Sequence, residues 1–167
     1  SAIMPPIPGI DHPKVLSANR LSDGDVSIGD TVVIMGGGLV GCEAAAHLAL
    51  AGKDVTVVEM FDTVARDVNA LQGAILKKAL DTYGVKILVN TRGMEISDAG
   101  LTVEDADGGQ KTLPADTILI AAGQRPLTDV ANSLRNAAPL VLPIGDCVRP
   151  GKVTDALVLG YYTGLDI

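Results

Sequence analysis

The chain has 167 residues, the length of a single domain, and a composition of 47% hydrophobic and 20% charged residues that can bury a core. Its formal net charge of -7 argues against a nucleic-acid partner. No apolar run reaches the roughly 18 residues of a membrane-spanning helix. With no visible signal peptide either, we expect a cytoplasmic protein without a membrane partner.

The first half of the chain predicts alternating strands and helices. Residues 1–30 contain the proline-rich stretch Met4-Pro5-Pro6-Ile7-Pro8, which predicts an extended connector rather than a helix. β-Branched apolar runs and helical apolar spacing alternate from there on. In chain order these elements are strand Thr31–Met35, helix Leu39–Ala51 ended by Gly52, strand Asp54–Glu59, helix Val68–Tyr83 ended by Gly84, and strand Val85–Val89.

The pattern changes after residue 90. Residues 92–113 alternate over short runs separated by turn signals, which predicts a three-stranded antiparallel meander. We predict further strands at Thr117–Ala121 and Leu140–Ile144, then a helix from about Lys152 to Leu165. The predicted fold class is therefore α/β, a three-layer Rossmann-like doubly wound parallel sheet with an antiparallel β-meander.

The first strand is followed directly by a glycine-rich turn. Gly36, Gly38 and Gly41 form a GxGxxG motif between a strand and a helix, with Gly37 inside the same turn. Such glycines permit a tight turn, let a pyrophosphate approach the backbone, and allow the helix to pack on the strand. The helix start would then present its N–H groups to the phosphates. We interpret the motif as a dinucleotide site; the alternative is a turn that is merely tight.

An acidic residue ends the second strand. Glu59 lies 18 residues after Gly41, the last glycine of the motif. An acid about 20 residues after such a motif binds the adenosine ribose hydroxyls. We also predict that its neighbour Met60 is a cofactor-binding residue. A carboxylate there would repel a 2′-phosphate, so NADH is predicted in preference to NADPH. The alternative is a solvated glutamate at a strand end.

Other polar residues predict no catalysis within the chain. Glu43 is placed in the first turn of the first predicted helix, where it could contact a ligand or simply face the helix dipole. Cys42 is interpreted as a small buried hydrophobe. Two isolated histidines and two separated cysteines predict no metal site and no dithiol centre. Hydrolase and P-loop motifs are absent from the sequence.

Five segments together resemble the two-dinucleotide-domain flavoproteins of the pyridine nucleotide-disulfide oxidoreductase superfamily. They are GGGLVGCEAA, VTVVEM, the meander, ILIAAGQRP and LPIGDCVRPGK. Within that superfamily, IPGIDHPKV and IGDCVRPGKVTDA are most similar to the old yellow enzyme-like NADH:flavin oxidoreductases, the group of 2,4-dienoyl-CoA reductase and trimethylamine dehydrogenase.

The resemblance implies a domain organisation. Residues 1–30 would be the connector from a FAD domain, residues 31–123 the NAD(P)H-binding Rossmann domain, and residues 124–167 the returning segment of the FAD domain. The partners would be that FAD domain and an N-terminal barrel of the same polypeptide. FAD would bind in the full-length protein, while FMN and a 4Fe-4S cluster would lie in the barrel, outside this chain.

The resemblance also implies roles for single residues. Leu39, Val40 and Glu43 would line the nicotinamide side of the NADH site. Ala122 and Gly123 would form the hinge back to the flavin domain, although Ala122 stands where the family usually has Thr. Gly145 and Asp146 would match the second flavin motif, whose acid holds the ribityl chain.

Two other functions stay open at this point. The first is a non-catalytic NAD-sensing Rossmann module, against which the flavin-like segment IGDCVRPGK argues. The second is a stand-alone dehydrogenase, which would need a substrate domain with its own acid–base residue. Over both of these alternatives we expect an NADH-binding domain of a flavin-dependent oxidoreductase, which positions NADH for hydride transfer to FAD.

Overall fold

Residues 2–123 fold around a five-stranded parallel sheet in a computed structural model that describes residues 1–23 and 26–167. A separate three-stranded antiparallel sheet and two helices belong to the same unit. The strands are β1 (Val15–Ser17), β2 (Thr31–Met35), β3 (Asp54–Val58), β4 (Lys86–Leu88), β5 (Arg92–Ser97), β6 (Gly100–Glu104), β7 (Gln110–Leu113) and β8 (Thr117–Ile120). The helices are α1 (Leu39–Leu50) and α2 (Ala70–Thr82).

The parallel sheet has the order β1-β8-β2-β3-β4, and the meander has the order β5-β6-β7. The chain moves outward from β2 through β3 to β4, then returns to the other side of β2 as β8. This reversal creates a switch point between the carboxyl ends of β2 and β8, where ligands of open α/β sheets bind. The predicted Rossmann-like sheet and meander are confirmed.

The three layers follow from the alternation of side chains along each strand. On β2, Val32 and Ile34 belong to the core beneath α1 and α2, whereas Val33 and Met35 belong to the core beneath the meander. All four are almost completely buried. Both faces of the sheet are thus covered, one by helices and the other by the meander, which explains why β2 is entirely apolar from Val32 to Met35.

The N-cap residues of α1 and α2 are Gly38 and Asn69. The Asn69 side chain caps α2, because its Oδ1 accepts a hydrogen bond from the Gln72 N–H at 2.9 Å. Helix α1 has Gly38 at its N-cap and buries Gly41, Cys42, Ala44 and Ala45. Small residues on this face let α1 approach the sheet closely.

The connector predicted at the start of the chain also contributes a strand to the parallel sheet. Its residues Val15–Ser17 form β1 and pair in parallel with β8, from Val15 with Ile118 to Ser17 with Ile120. A short 3-10 helix, Ala18–Ser22, follows. The sequence analysis missed this edge strand, since three half-buried residues show too short an apolar pattern to detect.

Residues 124–167, together with Ser1, form a second compact unit. Its helices are α3 (Thr128–Ser133) and α4 (Val153–Leu165), with a 3-10 helix at Gly145–Cys147. The predicted final helix is confirmed, and its start is fixed by the Lys152 N–H, which donates to Asp155 Oδ2 at 2.8 Å. No helix in the described residues is long and apolar enough to cross a membrane.

The strand predicted at Leu140–Ile144 is wrong. These residues have no regular structure, and Leu140, Leu142 and Ile144 are exposed. A strand requires a neighbour for its backbone hydrogen bonds, and within the described ranges no other segment pairs with this one. The apolar run therefore does not enter a sheet. Helix α3 lies between the two strands predicted at Thr117–Ala121 and Leu140–Ile144, where the sequence analysis predicted no element.

Candidate functional site

The glycine-rich turn crosses the carboxyl ends of β2 and β8. Gly36 has a φ of 109°, a conformation that favours glycine. A Cβ on Gly36 would collide with the carbonyl oxygen of Ala121, the residue after β8. The Gly36 N–H donates to the Val58 carbonyl at 2.9 Å, and the Ala121 N–H donates to the Met35 carbonyl at 2.8 Å. The turn is therefore held between β3 and β8, the two strands that flank β2.

The third glycine of the motif sets the distance between α1 and the turn. A Cβ on Gly41 would overlap the Gly36 carbonyl oxygen and would come within 3.2 Å of the Ala121 Cβ. Gly41 is buried in the first turn of α1. The helix can therefore start directly above the switch point only with glycine at this position.

The middle glycine leaves room above the backbone. Gly38 is the N-cap of α1 and has a φ of -72°, which any residue can adopt. A Cβ there would be no closer than 3.5 Å to its neighbours, the two carboxylate oxygens of Asp67. The backbone at Gly38 is accordingly accessible to a ligand, and the first N–H groups of α1 lack intrahelical acceptors, as at any helix start. Such a cradle suits the pyrophosphate of a dinucleotide.

Glu59 is buried, and its carboxylate is bonded to the backbone of the site. The Gly37 N–H donates to Glu59 Oε2 at 2.6 Å, and the Phe61 N–H donates to Oε1 at 2.9 Å. The residue is only 7% exposed. Each carboxylate oxygen can accept a further hydrogen bond, so a ribose hydroxyl can still be accommodated. Glu59 is thus both a structural part of the glycine turn and a candidate ribose ligand, while its neighbour Met60 is exposed.

The sequence analysis missed the segment between Glu59 and α2, which lies on the glycine turn. The Ala65 N–H donates to the Gly37 carbonyl at 2.7 Å, and Val64 Cγ1 would be 2.6 Å from a Cβ on Gly37. Asp67 Oδ1 accepts a hydrogen bond from the Leu39 N–H at 2.9 Å. The sequence offered only a weak signal for Asp67, which is an acidic residue two positions before Asn69, the N-cap of α2. The sequence does not show that Asp67 lies opposite the start of α1, where backbone N–H groups need acceptors.

The predicted nicotinamide-side residues all lie on α1. Leu39 is half-buried, Val40 is 43% exposed, and Glu43 is exposed. Because α1 begins at Leu39, Glu43 lies in its second turn and the first turn contains no acidic residue. The suggestion that Glu43 faces the helix dipole is therefore wrong, since that effect decays within the first turn. Contact with a ligand stays a prediction for Glu43.

Cys42 is fully buried beneath the turn, as predicted for a small hydrophobe. Its Sγ donates to the Gly37 carbonyl at 3.2 Å. Burial raises the pKa of the thiol to about 11, and the nearby Asp67 and Glu59 carboxylates add to the rise. The side chain is thus a neutral thiol near pH 7, unsuited to act as a nucleophile.

Ala122 and Gly123 follow β8 and are exposed. Gly123 has a φ of 99°, and its carbonyl accepts a hydrogen bond from the Ile3 N–H at 2.9 Å. The division between the two compact units falls directly after Gly123. The hinge assigned to these two residues stays a prediction.

Gly145 and Asp146 belong to the second unit, where they begin the 3-10 helix. Gly145 has a φ of 67°. The exposed Asp146 accepts a hydrogen bond from the Gly151 N–H at 3.3 Å. Among the described residues, no cluster of three or more His, Cys, Asp or Glu side chains could hold a metal ion.

Comparison with known proteins identifies the family of this glycine-turn fold. Residues 1–156 match the pyridine nucleotide-disulphide oxidoreductase family. The chain belongs to this family. Membership confirms the predicted class, a dinucleotide-binding domain of the NAD(P)H-dependent flavoprotein oxidoreductases.

Related family members include two reductases. A bilirubin reductase from Mediterraneibacter gnavus is 32% identical over 160 residues, 95% of this chain and 25% of that protein. A metal reductase from Desulforamulus reducens is 31% identical over 188 residues, 95% of this chain and 28% of that protein. The chain spans about a quarter of the length of these curated relatives.

Two solved structures that resemble this chain show the same architecture. A 2-naphthoyl-CoA reductase superposes with a TM-score of 0.94 and 31% identity, covering 100% of this chain and 26% of that one. The 6-hydroxypseudooxynicotine amine oxidase from Pseudomonas geniculata N1 gives a TM-score of 0.85 and 26% identity, covering 95% of this chain and 25% of the other.

Proposed function

We propose that this chain binds NADH on the Gly36–Gly41 turn and orients it for hydride transfer to a flavin. The observation that carries the proposal is the position of this turn at the β2/β8 switch point, with an accessible Gly38 at the start of α1. Backbone N–H groups and the helix dipole there favour an anion. When bound, NADH supplies the hydride; the protein supplies position.

The preference for NADH over NADPH is assigned to Glu59. Its buried carboxylate is fixed by the Gly37 and Phe61 N–H groups at the end of β3. It can accept hydrogen bonds from the adenosine ribose, whereas a 2′-phosphate would meet a negative charge in a partly desolvated place. The neighbouring Met60 side chain, which is exposed, is placed beside the adenosine.

The nicotinamide end is assigned to the exposed side of α1. Leu39 and Val40 supply apolar surface there, and Glu43 supplies a hydrogen-bond acceptor one turn further along the helix. These side chains would orient the ring and exclude water from it. We assign no acid–base catalyst to the chain, because hydride transfer to a flavin requires none from this domain.

The second unit is proposed to belong to a FAD domain, with Ala122 and Gly123 as the hinge. In this proposal Asp146 accepts hydrogen bonds from the ribityl chain, and Gly145 allows the ligand to approach the backbone. Many apolar side chains of this unit are exposed, including Leu140, Val153 and Leu157. They would pack against the rest of that domain.

The finer group is proposed to be that of the old yellow enzyme-like oxidoreductases. The TM-score of 0.94 to a 2-naphthoyl-CoA reductase supports this. The partners would then be a FAD domain and an N-terminal barrel of the same polypeptide, with FMN and a 4Fe-4S cluster in the barrel. A cytoplasmic location is proposed with them; it would keep both free cysteines as thiols.

The test is to measure NADH binding to the wild type and to Gly38→Ala by calorimetry. A Cβ on Gly38 makes only ordinary contacts within the protein, at 3.5 Å or more, so the fold should be preserved. The methyl group would nevertheless separate a pyrophosphate from the backbone N–H groups, and we expect about a tenfold or greater loss of affinity. Equal affinity in a folded Gly38→Ala variant, or no NADH binding by the wild type, would refute the proposed function.

A further inference from the structure

A second carboxylate, that of Asp67, lies on the start of α1. Its Oδ1 accepts the Leu39 N–H at 2.9 Å, and both of its oxygens are 3.5 Å from where a Cβ on Gly38 would lie. Leu39 is the first residue of the helix and Gly38 is its N-cap. Asp67 therefore lies against the same short stretch of backbone that a bound pyrophosphate has to approach.

The segment carrying Asp67 is attached to the turn at a separate point. The Ala65 N–H donates to the Gly37 carbonyl at 2.7 Å, and Val64 and Ala65 are both buried. Asp67, by contrast, is exposed. A movement of the Asp67 side chain away from the Leu39 N–H therefore need not disturb the Ala65 contact, which holds the segment in place.

A carboxylate and a phosphate compete for this position for two physical reasons. A backbone N–H at a helix start donates one strong hydrogen bond, and an anion that uses it excludes another. Two anions in contact also repel each other. The helix dipole that would favour the phosphate also favours the carboxylate.

From these contacts we propose that Asp67 is an internal competitor for the cofactor pyrophosphate. NADH binding displaces its carboxylate from the Leu39 N–H, and the negative charge of Asp67 lowers the affinity of the site. The inference rests on the proposed function, because it concerns the affinity of the same glycine turn. Asp67 is thus an affinity-determining residue that neither reacts nor positions the nicotinamide.

The experiment compares Asp67→Asn and Asp67→Ala with the wild type by calorimetry on the 167-residue chain. The control is Asp62→Asn, which removes the same charge from an exposed position of the same segment. The ligands are NADH, ADP and adenosine. We expect about tenfold tighter binding of NADH and ADP by both Asp67 variants. Adenosine, which lacks phosphate, should bind equally to all proteins, and Asp62→Asn should behave as the wild type.

The outcomes separate this inference from the proposed function. If the wild type binds NADH and the folded Asp67 variants bind it equally or more weakly, the inference is overturned and the proposed function stands. If neither the wild type nor any variant binds NADH, both are refuted. A structure of the wild-type NADH complex provides an independent test, which does not depend on the variants folding. Asp67 Oδ1 still bonded to the Leu39 N–H beside a bound pyrophosphate would overturn the inference.

Discussion

The carbonyl oxygen of Gly36 occupies the space that a side chain on Gly41 would need. This contact joins the first and last glycines of the motif, and it places the start of α1 over the carboxyl end of β2. The spacing of the two residues is therefore a packing requirement, whereas the accessibility of Gly38 between them is a binding requirement. The two kinds of glycine can be separated by mutation.

We predict that Gly41→Ala destabilises the fold by about 1–3 kcal/mol, the usual cost of inserting a methyl group into a packed core. The midpoint of urea denaturation should therefore be lower for Gly41→Ala than for the wild type. The matched control is Gly73→Ala in α2, another buried helical glycine, whose Cβ would meet its nearest neighbour at an ordinary 3.4 Å. Gly73→Ala should leave stability unchanged or raise it, since alanine favours a helix. Equal midpoints for the two variants would contradict the role given to Gly41.

The sequence predicted the parts of the site that depend on backbone chemistry. Runs such as Thr31–Met35 favour buried strands, and three glycines between a strand and a helix indicate a close approach. Asp67 could not be found in this way, because its contact with Leu39 joins two segments whose distance is set by the tertiary fold. The double hydrogen bonding of Glu59 was missed for the same reason.

The errors have a related cause. The Leu140–Ile144 run has the composition of a strand, but a strand also needs a partner, which composition does not report. Conversely, Val15–Ser17 has little strand character and forms one because β8 offers a parallel edge. In both cases the neighbouring backbone, rather than the local sequence, decides the structure.

We predict that Glu59→Ala destabilises the protein by about 1–3 kcal/mol, because it removes the acceptor of two backbone donors, one of which is buried. The donors are the Gly37 and Phe61 N–H groups. Glu59→Gln keeps one acceptor oxygen and should be less destabilised. Denaturant titration gives the free energy of unfolding of the three proteins, which should fall from the wild type through Glu59→Gln to Glu59→Ala. A Glu59→Ala variant as stable as the wild type would contradict this prediction.

The same residue should control cofactor choice. The wild type is expected to bind NADH more tightly than NADPH. The Glu59→Ala variant, measured under conditions in which it is folded, should show a smaller difference between the two affinities. Calorimetry with each cofactor provides the ratio of the dissociation constants for NADPH and NADH in both proteins. Tighter binding of NADPH by the wild type would show that the role given to Glu59 is wrong.

Cys42 should be inert to thiol reagents in the folded protein. Its pKa is raised by burial to about 11, and its side chain has no exposed surface. Cys147 is partly exposed. Ellman's reagent at pH 8 should therefore modify one thiol per chain in the wild type and none in Cys147→Ser until denaturant is added. Rapid modification of folded Cys147→Ser would contradict the burial of Cys42.

The raised pKa of Cys42 also predicts a pH dependence of stability. The thiol ionises near its ordinary value of about 9 in the unfolded chain and near about 11 in the fold. Its contribution to stability is therefore fully present below about pH 9 and is lost as the pH rises towards 11. The loss relative to Cys42→Ala should be on the order of 2 kcal/mol. Parallel pH profiles for the two proteins would be inconsistent with this assignment.

The last prediction concerns what the 167-residue chain does by itself: it should be folded, colourless and catalytically inert. One GxGxxG motif occurs in the sequence, and it is assigned to NADH. For FAD the chain offers Gly145 and the exposed Asp146, and these few contacts cannot offset the free energy lost when so large a ligand is immobilised.

NADH should still bind, because its glycine turn and Glu59 are complete, but its hydride would have no flavin to accept it. The test is to add FAD, remove the excess, record the visible spectrum, and assay NADH oxidation with an artificial electron acceptor. Two observations together would show that these residues form a complete enzyme: FAD retained in a one-to-one ratio, and turnover with the acceptor. Retention of FAD without turnover would instead show that Gly145 and Asp146 belong to a larger flavin site within this chain than the structure indicates.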